Sequence, residues 1–288
     1  MATCYICLRR DMRAGPVSEP WLAEGRPGHD TLKKLDINEL SNKCRGKDIL
    51  LATHGFNVTG QEGINALGWL DQRLAIRSNE FYCGVLWPGD WWIPAINYSF
   101  EAADVVKAGQ HLAKLCNTQF VQARSLSFLS HSLGGRLILE TVKWLKPVPG
   151  RDRPARIVCL TAAAVDNDCL RRQYATVPGQ CVSFINLASS KDKVLKIAYP
   201  AGDFWSDIFG DNDSPWTGAL GLRGPKGTTP INVRPNQIPD RLGYGHGNYL
   251  PPSSNTTPPI PAQQPSWVDA SDFMIRAFRE EPQIWPPN

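Results

Sequence analysis

The sequence predicts an α/β protein whose mostly parallel sheet is covered by helices on both faces. Short apolar runs typical of buried strands alternate with segments whose apolar residues recur at helical spacing. This alternation favours parallel strands joined by crossover helices. With 288 residues, of which 42% are hydrophobic and 20% charged, the chain can bury a large core. We expect a single domain spanning residues 1–288.

Apolar runs predict the strands Cys4–Leu8, Asp48–Thr53, Phe81–Trp87, Leu126–Ser130, Arg156–Ala162 and Cys181–Leu187. A shorter last strand is expected at Ile231–Val233. Helical spacing predicts helices over Ile64–Leu74, Ala102–Leu115, the segment following Ser132 and Trp267–Phe278.

Two segments lack such periodicity. Residues 201–227 are rich in glycine, aspartate and tryptophan. A loop of this length predicts either a flap over a site or a loop held to the body by its aromatic side chains. Residues 251–265 are rich in proline, serine and threonine, which predicts an extended surface connector.

Composition excludes several classes of protein. The net charge is only +4, and the densest basic cluster, Arg9, Arg10 and Arg13, predicts a solvated strand end, so no nucleic-acid partner is expected. Cys4 and Cys7 lack a second pair at zinc-finger spacing, so no metal site is expected. No apolar run approaches the roughly eighteen residues that span a bilayer, and the first residues lack the order of a secretory signal. We expect a cytoplasmic protein, with export without a cleavable signal as the alternative.

The segment Ser130–Gly134 is the most informative part of the chain. An apolar run precedes it and a helical pattern follows it, so Ser132 is predicted at a tight turn between a strand and a helix. Such a turn exposes the serine hydroxyl at the carboxyl end of a sheet and requires small residues two positions away, which Ser130 and Gly134 provide. The pattern predicts Ser132 as a nucleophile, and a plain Ser-Gly turn is the alternative.

A serine nucleophile needs a base and a group that orients the base. Of the five histidines, His246 is the candidate base, because the glycine-rich loop Gly243–Gly247 can turn sharply after the last strand. The acid should follow a strand between Ser132 and His246. Asp192 is preferred over Asp166, which follows the preceding strand, although either aspartate could simply start a helix or turn.

Two backbone amides are expected to bind the oxyanion that develops during acyl transfer. One belongs to Leu133, directly after the nucleophile and at a helix start, where amides have no intrahelical partner. The other belongs to Phe56, because Gly55 lets the loop after Asp48–Thr53 swing inward. Trp91 and Trp92 are expected at the same edge of the sheet, as pocket-lining residues or as ordinary packing.

These segments resemble the α/β-hydrolase superfamily, in the order nucleophile, acid, histidine, and more narrowly a bacterial esterase/lipase-like branch. The motifs that carry the resemblance are His54-Gly55-Phe56-Asn57, Trp87-Pro88-Gly89-Asp90 and Ser130-His131-Ser132-Leu133-Gly134. It implies the α/β-hydrolase fold with about eight strands, hydrolysis of a small-molecule ester through an acyl-enzyme, and no cofactor. A lipase or phospholipase at a lipid interface and a binding protein without turnover are the alternatives. No motif specifies the oligomeric state.

Overall fold

The structure, a computed structural model, describes residues 2–13, 15–90, 98–198, 218–254, 257–260, 265–282 and 285. Its strands are β1 (Thr3–Arg9), β2 (Val17–Gly25), β3 (Lys33–Leu35), β4 (Asp48–Thr53), β5 (Glu80–Leu86), β6 (Ser125–His131), β7 (Ala155–Thr161), β8 (Cys181–Ala188) and β9 (Val233–Gln237). They form one nine-stranded sheet in the order β3-β2-β1-β5-β4-β6-β7-β8-β9.

The sheet is mostly parallel, which confirms the predicted α/β class. Strand β1 and strands β4 to β9 run parallel, whereas β2 is antiparallel to both β1 and β3. The chain moves from β4 to β5 in one direction and from β6 to β9 in the other, so the direction of the strand order changes between β4 and β6. In open α/β sheets, ligands bind outside the carboxyl ends of the strands at such a switch point.

Within the described residues, seven helices accompany the sheet, and four of them pack as two pairs. They are α1 (Glu39–Cys44), α2 (Gly60–Leu74), α3 (Tyr98–Gln119), α4 (Gly134–Lys143), α5 (Lys193–Ala198), α6 (Leu220–Arg223) and α7 (Pro265–Phe278). Helix α2 packs against α7, and α3 packs against α4. Because right-handed crossovers in opposite directions place their helices on opposite faces, α2 and α4 lie on different sides of the sheet. None of the helices in the described ranges is both long and apolar enough to cross a membrane.

The first edge of the sheet differs from the sequence prediction. Strands β2 and β3 were not expected, since β2 contains Pro20 and only part of it is buried. Pro20 has no partner on β1, because the register shifts there between Cys7 and Arg9. Proline lacks the amide that a regular ladder requires, and a bulge is a position where it is tolerated. The predicted solvated cluster was wrong for Arg9, which is 1% exposed and pairs with Asp90.

The strand at the other edge of the sheet begins two residues later and ends four residues later than predicted. Strand β9 is Val233–Gln237 rather than Ile231–Val233, and the side chain of Ile231 is fully exposed. Only Val233 of β9 is buried, so apolar content alone could not locate this edge strand. The eight cysteines, all within the described ranges, are buried free thiols.

Candidate active site

Ser132 occupies the turn between β6 and α4. Its φ of +55° lies in the left-handed region, where a non-glycine residue is strained, and such strain is concentrated at functional sites. The turn is fixed to β7 and to the loop that follows it: the Ser132 amide donates to the Thr161 carbonyl over 3.0 Å, and the Ser132 carbonyl accepts from the Ala164 amide over 3.1 Å. The sequence-predicted elbow therefore exists as a strand–turn–helix corner.

Three side chains from distant parts of the chain meet beside this turn. The Ser132 Oγ atom lies 2.7 Å from His246 Nε2, and His246 Nδ1 lies 2.7 Å from Asp192 Oδ2. Asp192 follows β8, and His246 opens a short 3₁₀ turn after β9. Since strands β6, β8 and β9 are parallel and end at the same edge, their following loops converge there.

The structure separates the two candidate acids. Both ring nitrogens of His246 are occupied, one by Ser132 and the other by Asp192, so the Asp166 carboxylate is not the hydrogen-bond partner of this imidazole. Asp166 is also buried, and its backbone forms an isolated bridge with Ala219. Asp192 is 0% exposed, and a buried carboxylate is stable in its charged form only when it is paired and hydrogen-bonded.

The loop that carries Phe56 runs close to the turn that carries Ser132 and Leu133. Strands β4 and β6 are neighbours, with Thr53 opposite Ser130, so the loop after β4 runs beside the elbow. A Cβ built on Gly55 would lie 2.8 Å from Ser132 Cβ, a clash that only glycine avoids. Among the described residues, no carbonyl accepts a hydrogen bond from the amides of Phe56 or Leu133.

His54 holds this loop in place, a role that the sequence analysis did not assign. Its Nδ1 atom donates to the Gly55 carbonyl over 2.9 Å, and its Nε2 atom accepts from the Trp87 amide over 3.3 Å. The Trp87 indole in turn donates to the His54 carbonyl over 3.0 Å. Burial lowers the pKa of His54 to about 4, so the ring is neutral, as this hydrogen-bond pattern requires. In the sequence, the only signal for this role of His54 was the presence of the His54-Gly55 and Trp87-Pro88 motifs.

Several predicted features fall partly or wholly outside the described residues. Trp91, Trp92 and the stretch 201–217 of the expected flap belong to this group. The following helix α6 packs on the carboxyl edge, where the Gly221 amide donates to the Ala163 carbonyl over 2.9 Å. In the expected connector, the Ser253 carbonyl accepts from Asn65 Nδ2 of α2 over 3.0 Å. The described part of the chain contains no cluster of three or more His, Cys, Asp or Glu side chains arranged to hold a metal ion.

The order of the sheet and the serine turn at its carboxyl edge define the α/β-hydrolase fold. The chain belongs to the family described as "Alpha/beta hydrolase of unknown function (DUF900)", whose model matches residues 30–203. The resemblance stated from the sequence motifs is thereby confirmed at the level of the superfamily and the fold.

Solved structures with a similar fold include several hydrolases. An esterase from Pyrobaculum calidifontis is 12% identical, with a TM-score of 0.44, over 97% of this chain and 85% of that one. An acetyl xylan esterase from Paenibacillus sp. R4 is 11% identical, with a TM-score of 0.43, over 98% and 89%. Esterase 2 from Thermogutta terrifontis is 10% identical, with a TM-score of 0.41, over 81% and 85%. A comparison with curated protein sequences found no significant match.

Proposed function

We propose that the protein is a serine hydrolase that cleaves carboxylic esters through an acyl-enzyme, acting as one domain over residues 1–288. The observation that carries the proposal is the hydrogen-bonded series Ser132 Oγ, His246 Nε2, His246 Nδ1 and Asp192 Oδ2, with 2.7 Å at each of its two contacts. A nucleophile, a base in reach of it and a group that orients the base are the parts that serine hydrolysis requires.

In the acylation step, His246 Nε2 takes the hydroxyl proton of Ser132 while Oγ attacks the ester carbonyl carbon. The carbonyl oxygen becomes an oxyanion, which the amides of Phe56 and Leu133 stabilise. When the tetrahedral intermediate collapses, the bond to the alcohol oxygen breaks, and His246 gives its proton to the leaving alcohol. The acyl group remains on Ser132. Each oxyanion donor of this kind contributes about a hundred- to a thousandfold to turnover.

Deacylation repeats the same steps with water as the nucleophile. His246 removes a proton from water, the resulting hydroxide attacks the acyl carbon, and Ser132 regains its proton as the carboxylic acid leaves. Asp192 acts through His246: its carboxylate accepts a hydrogen bond from Nδ1–H, which keeps the proton on Nδ1 and leaves Nε2 free to act as the base. The same carboxylate stabilises the imidazolium that forms in each half-reaction.

The test combines covalent labelling with turnover. A fluorophosphonate should label the wild-type protein stoichiometrically at Ser132, and p-nitrophenyl ester hydrolysis should fall by about 10⁴-fold or more in Ser132→Ala and in His246→Ala. Ser127→Ala is the matched control, because Ser127 is a buried serine on β6, the strand that leads to Ser132, and its hydroxyl has no hydrogen-bond partner among the described residues. A folded wild-type protein that is neither labelled nor active would overturn the proposal.

A series of acyl chains assigns the substrate class. A simple esterase loses activity on p-nitrophenyl esters as the acyl chain lengthens, whereas a lipase or phospholipase gains activity when its substrate forms a lipid interface. Amide and thioester substrates run beside the series define the bond that is cleaved. Ligand binding without hydrolysis, unaffected by His246→Ala, would identify a binding protein on this fold instead.

A further inference from the structure

His131 stands directly before Ser132 and is the last residue of β6. Its ring lies between the two loops that complete the site. On one side, its Nε2 atom lies 2.7 Å from the backbone carbonyl of His246. On the other side, a Cβ built on Gly55 would lie 3.1 Å from its Nδ1 atom, so the ring packs on the loop that carries Phe56. The imidazole of His131 thus contacts both the loop that carries His246 and the loop that carries Phe56.

We propose that His131 is a positioning residue, which holds the backbone of His246 so that its imidazole stays within proton-transfer distance of Ser132. This inference rests on the proposed serine-hydrolase function. The hydrogen bond of His131 is made to a backbone carbonyl, and Ser132 Oγ is instead hydrogen-bonded to the ring of His246. The effect of His131 passes through the carbonyl of His246, whose side chain is the base.

The loop that carries His246 needs such an anchor. It contains Gly243, whose φ is +62°, and glycines on both sides of His246, so its backbone is intrinsically free to move. Ser189 Oγ donates to the Tyr244 carbonyl over 2.7 Å, and the Gly245 amide donates to Asn248 Oδ1 over 2.7 Å. These bonds secure the neighbours of His246. The bond from His131 is made to the backbone of His246 itself.

The protonation state of His131 fits this role. A carbonyl oxygen only accepts hydrogen bonds, so Nε2 of His131 must carry the proton and donate it. The ring centroids of His131 and His246 lie 4.9 Å apart, and Tyr249 lies 6.0 Å from His131 on another side. Burial, reinforced by the nearby imidazoles of His246 and His54, lowers the pKa of His131 to about 3, against the opposing effects of the Asp192 carboxylate and the hydrogen bond to the His246 carbonyl. A neutral His131 adds no positive charge that would oppose protonation of His246.

The test uses two variants of equal side-chain length. His131→Gln keeps an amide donor near the position of Nε2, whereas His131→Met has a similar shape but no donor. We expect His131→Met to lower kcat by about 10- to 100-fold, because a displacement of about 1 Å in a reacting group has an effect of that order. KM should stay near the wild-type value. His131→Gln should recover kcat to within a few-fold of wild type, and the rate of fluorophosphonate labelling should follow kcat.

A second variant covers the case in which His131→Met does not fold. His131→Asn is polar and smaller, yet its amide is too short to reach the His246 carbonyl, so it should lose kcat as His131→Met does. Equal kcat in the wild type and in a folded donor-free variant would overturn the positioning role, even though the wild type is active and labelled. Equal losses in the Gln and Met variants, with lowered melting temperatures, would overturn it in favour of simple packing. A wild type without labelling or turnover would instead refute the proposed function itself.

Discussion

Gly134 lies directly on the carbonyl of His54, so closely that a Cβ on Gly134 would overlap that oxygen atom. The same Cβ would come within 2.9 Å of Thr53 Cγ2. The start of α4 is therefore pressed against the end of β4 and the loop that carries the Phe56 amide. Glycine at this position lets the Ser132 turn and the loop that carries Phe56 approach each other.

Replacing Gly134 with alanine should damage both stability and activity. The added methyl group must displace the His54 backbone, which should lower the free energy of unfolding by about 1–3 kcal/mol. It should also lower kcat by about a hundredfold, because the Phe56 amide moves with the loop. Urea denaturation and ester turnover measure the two effects. Gly179→Ala is the control, since a Cβ there meets no atom within 4 Å; equal behaviour of the two variants would refute the contact.

Asp192 makes two separate contacts whose effects a single substitution can distinguish. Its Oδ1 atom accepts a hydrogen bond from the Leu195 amide over 3.0 Å, which caps the first turn of α5, and its Oδ2 atom faces His246. Asparagine is as good a helix cap as aspartate but cannot hold the imidazole in the same tautomer. Asp192→Asn should therefore keep its melting temperature within a few degrees while kcat falls by about 10⁴-fold.

Asp166→Asn is the matched comparison for this substitution. Both aspartates are buried and both follow a strand of the sheet, but only Asp192 faces His246. We expect kcat to fall far less in Asp166→Asn than in Asp192→Asn. A larger loss in Asp166→Asn, with Asp192→Asn close to wild type, would assign the acid to Asp166.

The parts of the fold that could be predicted from the sequence depend on local chemistry. The central strands are continuous apolar runs because parallel strands are buried on both faces. The turn at Ser132 could be predicted because its small neighbours, its preceding strand and its following helix are all adjacent in the sequence. The position of His246 followed from the same reasoning, since few histidines were available and one stands in a glycine-rich loop.

The remainder depends on contacts between residues far apart in the chain. Asp166 and Asp192 each follow a strand of the sheet, and the contact of Asp192 with His246 joins residues 54 positions apart in the chain. Strand β2 has a weak strand pattern in its own sequence. Its pairing with β1, which is distant from any local pattern, is what stabilises it. The contacts of His131 lie in loops that follow other strands, so no local pattern could have revealed them.

Arg9 makes buried contacts that the sequence did not predict, and substituting it tests them. It is 1% exposed, its Nη2 atom lies 3.0 Å from Asp90 Oδ2, and its Nε atom donates to the Asp11 carbonyl over 2.9 Å. Arg9→Met leaves the Asp90 carboxylate buried without its partner, which should lower the free energy of unfolding by about 3–5 kcal/mol. Urea denaturation measures this loss.

Two further variants make the Arg9 result specific. Arg10→Met, at the exposed neighbouring position, should change the free energy of unfolding by no more than about 0.5 kcal/mol. Adding Asp90→Asn to Arg9→Met removes the unpaired charge and should restore part of the lost stability. The effects of substitutions at two residues in contact on the free energy of unfolding are generally not additive. Strictly additive losses would show that Arg9 and Asp90 do not interact in solution.

The pH dependence of stability should depend on His131. An unfolded histidine binds a proton near its ordinary pKa of 6.5, whereas burial lowers the pKa of folded His131 to about 3. Between these values the unfolded state binds more protons than the folded state, so the free energy of unfolding must fall as the pH falls, by about 1.4 kcal/mol per pH unit for this one group. His131→Gln removes the titration and should have a shallower slope by that amount. Urea denaturation of both proteins from neutral pH down to about pH 5 measures the difference. Parallel slopes would show that folded His131 accepts a proton as readily as the unfolded chain does.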